Sequence, residues 1–404
     1  MPRPGSDVAS ATFPLLGIRH RPSRLNSAFT SAQLSFPEYI EHCRDIIAQA
    51  RAELSADILN KVIEGNAPFE LTPADGYSAG KEKAYRRGIL LTHGLTDSPY
   101  FMRHLAAFFQ ENGFRVMAVL LPGHGTRPGD LLDVRWQEWV KAVAYGVDKL
   151  ALEVDEVYLA GFSAGGALSV YQSFCDQRVR GLFLFVPALK VSPKAAWANI
   201  HKTYSWLAAS AKWLSISPDT DIYKYESFPK NAAAQMYALT QAVRAQIAKS
   251  KVLIPVFAAV SQDDATVDTV ATVEFMAHAP HPANKLVYYF SSADKIPAGL
   301  SKDKIECVNG VFPQLKIISS AHTAIVLPSE DAYYGERGEY CNCIHYCPED
   351  MDKFAACTNQ AEQMVQGEIT EANLKACMLR RLMYNPNFDT LKIAMRKFID
   401  SLPA

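Results

Sequence analysis

The chain has no excess of charge of either sign, with 41 Lys and Arg against 42 Asp and Glu. A basic face able to displace phosphate counterions is therefore not expected, and no nucleic-acid partner is expected. Long apolar runs are also lacking. The longest, Gly181 to Leu189 and Val252 to Val260, reach about half the roughly 20 residues of a spanning helix, so no membrane span is expected. Residues Met1 to Asp7 lack the compact apolar stretch of a secretory signal. Without that signal, the eight cysteines read as reduced thiols rather than a disulfide framework, and a cytoplasmic location is expected. Cys341, Cys343, His345 and Cys347 lie close together, but the paired spacings of a zinc site are missing, so no metal is expected.

What is present is punctuated alternation. In a chain of 404 residues, 49% apolar, a large core can form, as one α/β domain with insertions or as two domains. Near-continuous apolar runs read as buried strands at Arg87–Gly94, Phe114–Leu121, Val154–Leu159, Gly181–Pro187 and Leu253–Val260. Helical spacing separates several of them, at Pro99–Gly113 and Trp136–Leu150, and returns at Thr390–Leu402. Such alternation predicts a mostly parallel sheet covered by helices on both faces. Upstream, Ser35-Phe36-Pro37-Glu38 fits a capping box, followed by an apolar stripe of Ile40, Cys43, Ile47, Ala50 and Leu54. Both Lys285–Ser291 and Leu315–Ser319 look like strands, and either could be the last of the core.

The stretch that organises the rest is Val157-Tyr158-Leu159-Ala160-Gly161-Phe162-Ser163-Ala164-Gly165-Gly166. A strand turns sharply into a helix around Gly-x-Ser-x-Gly, the setting of a nucleophile elbow, with Ser163 as nucleophile. A serine hydroxyl needs a base and a third group to fix that base. In chain order the acid and then the histidine follow such an elbow, each just past a strand. Asp263 and Asp264 follow Leu253–Val260 and compete for the acid role. Asp264 is preferred because Val267, three residues on, returns to the core. Ser320-Ala321-His322 follows Leu315–Ser319, and His322 is the expected base; His93 and His124 come too early. The N–H groups of Ala164 and of Leu95, after His93-Gly94, are the expected oxyanion donors.

Leu91 to Pro99, Pro122-Gly123-His124-Gly125, Gly161 to Gly165, the Asp264 turn and Ser320-Ala321-His322 resemble the α/β-hydrolase superfamily. Within it they are most similar to bacterial carboxylesterases and monoacylglycerol-lipase-like serine hydrolases. The resemblance spans roughly residues 85 to 326 plus the last helix. It implies hydrolysis of a small acyl ester through an acyl-serine, no cofactor, and a helical cap before the acid strand. The expected division is an N-terminal extension at 1–84, a core at 85–188 and 251–404, and a cap at 189–250. In that cap Trp206 and Trp213, one heptad apart on a helix, are expected to line an acyl-binding cleft. Other acyl transfers on the same triad (thioesterase, peptidase, acyltransferase) and a non-catalytic binding protein of the same fold remain the alternatives.

Overall fold

A computed structural model describes residues 16–73, 80–191, 209–293, 301 and 303–402. The N-terminal extension contributes α1 (Phe36–Ala50), α2 (Ala56–Asn66) and strand β1 (Phe69–Leu71). The Ser35–Glu38 capping box forms: the Ser35 N–H donates to Glu38 Oε2 at 2.8 Å, and the Glu38 N–H donates back to Ser35 Oγ at 3.4 Å. The buried face of α1 is Phe36, Tyr39, Cys43, Ile46, Ile47 and Ala50, turned slightly from the stripe through Ile40. Tyr39 Oη locks this helix to the sheet, donating to the Leu120 carbonyl at 2.9 Å and accepting from the Leu120 N–H at 3.1 Å.

The core is a sheet of eight strands. They are β1, β2 (Tyr85–Thr92), β3 (Phe114–Val119), β4 (Val154–Phe162), β5 (Val179–Phe185), β8 (Val256–Ser261), β9 (Lys285–Phe290) and β10 (Ile305–Asn309), in the order β1-β3-β2-β4-β5-β8-β9-β10. Every pairing is parallel except β1 with β3. All residues of β3 and β8 are buried, which requires helices on both faces. The helices are α3 (Arg103–Glu111), α4 (Trp136–Glu153), α5 (Ala164–Cys175), α6 (Lys230–Lys249), α7 (Thr269–His278) and, near the C-terminus, α10 (Phe388–Asp400). On one face Phe109 of α3, Phe183 of β5 and Phe398 of α10 pack edge to face, at 4.8 and 5.1 Å between centroids. Among the described residues no helix is long and apolar enough to cross a membrane.

Three regions differ from the sequence reading. Between β5 and β8, Trp213 was expected on a helix; Trp213–Ser215 is instead strand β6, paired antiparallel with β7 (Phe228–Pro229). Near the sheet edge, Lys285–Phe290 is a core strand, but Leu315–Ser319 is not a strand. Ile317 bridges Phe312 and Gln366 and is buried with Ala321, Ala324, Leu382 and Tyr384 in a separate cluster, so its apolar character serves another core. The sheet edge is β10, whose Glu306, Cys307 and Asn309 give no strong apolar pattern.

The third difference is in the C-terminal segment, which carries α8 (Met351–Asn359), α9 (Glu371–Ala376) and a two-stranded parallel ribbon, β11 (Val365–Gly367) with β12 (Leu379–Arg381). Cys343 and Cys357 form a disulfide here, against the expectation that all thiols are reduced; both are fully buried with Met364, where their sulfurs meet. Among the described residues no group of three His, Cys, Asp or Glu side chains is arranged to hold a metal ion.

The Tyr39 anchor is testable. Tyr39→Phe leaves the buried Leu120 N–H and carbonyl without that partner, which costs about 1–3 kcal/mol. Urea unfolding should show that loss, while the Phe36 and Ile47 contacts keep α1 in place.

Candidate active site

Strand β4 ends at Phe162 and α5 begins at Ala164, so Ser163 alone makes the turn. Its φ of 53° and ψ of −111° lie in a region that side-chain-bearing residues rarely adopt. The main chain around it enforces this conformation. The Ser163 N–H donates to Phe185 O at 2.9 Å, and Ser163 O accepts from the N–H groups of Gly166, Ala167 and Ala188 at 3.0, 3.2 and 2.9 Å. A Cβ on Gly161 would lie 2.2 Å from the Gly165 carbonyl carbon, and one on Gly165 would lie 2.0 Å from Thr92 O. Only glycine permits these approaches. The Ala164 N–H lies in the first turn of α5, where helix geometry provides no acceptor and the helix dipole is positive.

The turn after β2 faces the elbow. The Leu121 N–H donates to His93 Nε2 at 3.1 Å, so Nδ1 carries the proton and donates to the Gly94 carbonyl at 2.8 Å. This tautomer is neutral, and burial holds His93 well below the usual imidazole pKa, with His124 adding to the effect. His93 therefore shapes the turn. Beyond Leu95, Thr96 has a φ of 70°, held by the Tyr225 N–H donating to its carbonyl at 2.8 Å. Lys224 donates to Thr96 Oγ1 at 3.0 Å and pairs with Asp97, so the segment between β6 and β7 latches this turn.

Past β8, Asp264 Oδ2 lies 2.7 Å from His322 Nδ1, and Asp264 Oδ1 accepts the N–H groups of Thr266 and Val267 at 2.8 and 2.9 Å. Burial pushes the Asp264 carboxyl up, but His322 and these hydrogen bonds outweigh it and hold it below the usual carboxylate value. Asp263 points elsewhere, accepting from the Ser291 hydroxyl at 3.0 Å. Leu95, Ser163 and His322 line one cavity of about 660 Å³. Val191, Leu214, Phe228, Ala233, Met236 and Val267 make its apolar wall, while Lys224, Glu226, Tyr340, Asn342 and Arg381 make a polar one.

Of the two tryptophans expected in the cleft, Trp206 lies outside the described residues. Trp213 is not part of the cavity wall: its ring packs edge-on against His20 at 5.1 Å, and its strand neighbour Leu214 faces the cavity instead. Alternation along a strand sends successive side chains to opposite sides, which the helical reading of this stretch inverted. The polar wall from Tyr340, Asn342 and Arg381 had no local signal in the sequence, because these residues reach the site only through the C-terminal segment.

Residues 83–292, more than half of the chain, match the model of the family described as serine aminopeptidase, S33 (Hydrolase_4). The chain belongs to this family. As an S33 family member it is an enzyme of the serine-hydrolase type with the α/β-hydrolase fold. It is similar to the thermostable monoacylglycerol lipase of Bacillus sp. (strain H-257), with 26% identity over 181 residues, 44% of this chain and 70% of that relative. It is also similar to a carboxylesterase of Bacillus subtilis (strain 168), with 22% identity over 239 residues, 58% of this chain and 94% of the relative. A solved metagenome-derived lipolytic enzyme is 22% identical, with a TM-score of 0.46 over 55% of this chain and 87% of its own. In this S33 member the family match takes in Ser163 and Asp264 but ends before His322.

The buried imidazoles give a pH prediction. Burial draws His124 down to about 4. With the unfolded value near 6.5, the unfolded chain binds more protons between the two values. The stability from neutral His124 is therefore complete above about pH 6.5 and is lost as pH falls toward 4. Each such histidine steepens the fall by up to about 1.4 kcal/mol per pH unit. His124→Gln should flatten the difference in urea-unfolding free energy between pH 6.5 and 4 by up to one proton's worth.

Proposed function

We propose that this S33 family member hydrolyses carboxylic esters through an acyl-serine on Ser163, with His322 as base and Asp264 as its orienting acid. The observation that carries this reading is the 2.7 Å contact between His322 Nδ1 and Asp264 Oδ2 beside the cavity that Ser163 enters. Ser163 Oγ attacks the acyl carbonyl while His322 Nε2 takes its proton. The N–H groups of Leu95 and Ala164 hold the oxyanion, and Asp264 keeps Nδ1–H in the tautomer that leaves Nε2 free to accept. Collapse of the tetrahedral intermediate expels the alcohol, which takes the proton from His322. Water, deprotonated by His322, then releases the carboxylic acid and restores Ser163. No cofactor enters these steps.

The cavity wall favours an acyl ester over an aminopeptide. An aminopeptidase substrate carries an α-ammonium that needs a free carboxylate, and the two acids that line this cavity among the described residues are already engaged. Asp97 pairs with Lys224, and Glu226 accepts from the Tyr340 hydroxyl and the Thr220 N–H, both at 2.7 Å. The apolar wall of Leu214, Phe228 and Met236 suits an acyl chain. The partner is thus a small-molecule ester.

Steady-state kinetics on p-nitrophenyl acetate, butyrate and octanoate, with aminoacyl amides and acyl thioesters alongside, test this reading. Ser163→Ala should lower kcat by several orders of magnitude on every substrate, and fluorophosphonate labelling should vanish with it. Asp264→Asn should lower kcat by a factor on the order of ten thousand through the wrong imidazole tautomer, whereas Asp263→Asn changes it little. Each methylene buried on the apolar wall contributes about 0.8 kcal/mol, roughly fourfold in kcat/KM per carbon until the wall is covered. Met236→Ala should raise KM more for octanoate than for acetate. Faster turnover of aminoacyl amides than of esters would overturn the ester assignment.

A further inference from the structure

The core sheet touches the histidine loop through Ser261 Oγ of β8, which donates to Ser320 O at 3.3 Å, and the C-terminal segment holds both arms of the loop. Its upstream arm, Lys316–Ile318, pairs with Gln366: the Gln366 N–H donates to Lys316 O at 2.8 Å and the Ile318 N–H to Gln366 O at 2.9 Å. Its downstream arm is tied by Thr323 Oγ1 donating to Leu382 O at 2.9 Å. Both partners belong to the β11–β12 ribbon and its continuation, beyond the family match that ends at residue 292.

At the centre of this grip is a fully buried carboxylate. Glu368 Oε2 accepts the main-chain N–H of His322 at 2.8 Å, and Oε1 accepts the Ile369 N–H at 2.9 Å. Its charge is met by the guanidinium of Arg381, 2.8 Å away on β12. Arg381 Nη2 then donates to Thr266 Oγ1 at 2.7 Å, and the Thr266 N–H donates to Asp264 Oδ1. A ring therefore closes: His322 main chain, Glu368, Arg381, Thr266, Asp264 and back to the His322 imidazole. The loops bearing the acid and the base are joined twice, once through the imidazole and once through the buried ion pair. The Glu368 carboxylate is fully buried, so removing its partners would leave a charge without solvent, while Arg381 reaches from it to the cavity wall.

We infer that Glu368, with Arg381, is a positioning residue of the proposed reaction, fixing the His322 imidazole against Asp264. This inference rests on the proposed triad. It departs from ordinary structural packing in one respect: loosening the ring should misplace the base without altering the acyl wall. A displacement near 1 Å of a catalytic group can cost about a hundredfold in rate.

The test is kinetics normalised to the serines titrated by a fluorophosphonate, so that misfolded molecules do not count. Glu368→Ala should lower kcat per titrated site by about ten- to a hundredfold, with KM within about threefold of wild type. Glu368→Gln keeps a carbonyl oxygen that can accept the His322 N–H, and should recover most of that loss. Thr266→Ala cuts the ring at its exposed link, where folding is not at stake, and should lower kcat about three- to tenfold at constant KM. Proton NMR should show the downfield Nδ1–H resonance of the His322–Asp264 pair broadened in Glu368→Ala and Thr266→Ala. If both variants keep kcat per site within about twofold, or lose activity only through KM, the inference is overturned. Activity surviving in Ser163→Ala would instead overturn the triad itself, so the two failures are distinguishable.

Discussion

Where α5 begins, its second residue lies so close to the end of β2 that a methyl group there would meet the Thr92 carbonyl at 2.0 Å. That approach brings the first turn of α5 beside the turn through Gly94 and Leu95. Ser163 lies between these two turns. The rest of the site is arranged around this contact: β5 fixes the Ser163 main chain from one side, and buried, neutral His93 fixes the opposite turn from the other.

The sheet supplies the elbow, but elements outside the sheet hold the loops around it. Lys224 and Tyr225 latch the Leu95–Thr96 turn, and Tyr340, Asn342 and Arg381 complete the cavity wall. The division of labour is physical. A parallel sheet is rigid because both its faces are buried, so it can hold a strained residue such as Ser163. Loops beyond the strand ends lack that support and acquire it from whatever packs on them.

Features set by neighbours in sequence were legible from the sequence itself. The Ser35–Glu38 capping box, the apolar strands of the sheet and the strand-turn-helix around Ser163 are each contained within about fifteen residues. Features set by distant partners were not. Ile317 reads as strand because it is apolar, yet its apolar neighbours are Leu382 and Tyr384 rather than the sheet. Trp213 lies in a stretch with helical spacing but pairs as a strand with Pro229, a tertiary choice that periodicity cannot foresee. Glu368 and Arg381 carry no motif, and their meaning appears only when the chain brings them beneath the histidine loop. The Cys343–Cys357 disulfide was read away on grounds of compartment rather than proximity.

The carboxylate beneath the histidine loop follows His322 by 46 positions. For a chain synthesised from its N-terminus, this spacing sets a sequence of events. Ser163, the Leu95 turn, Asp263 and Asp264 leave the ribosome earlier and can fold with the sheet. His322 follows, and the bonds that Gln366, Glu368 and Leu382 make to its loop form only after the ribbon has also emerged. On the proposed triad, all the reactive side chains are therefore made before the ribbon that grips the histidine loop.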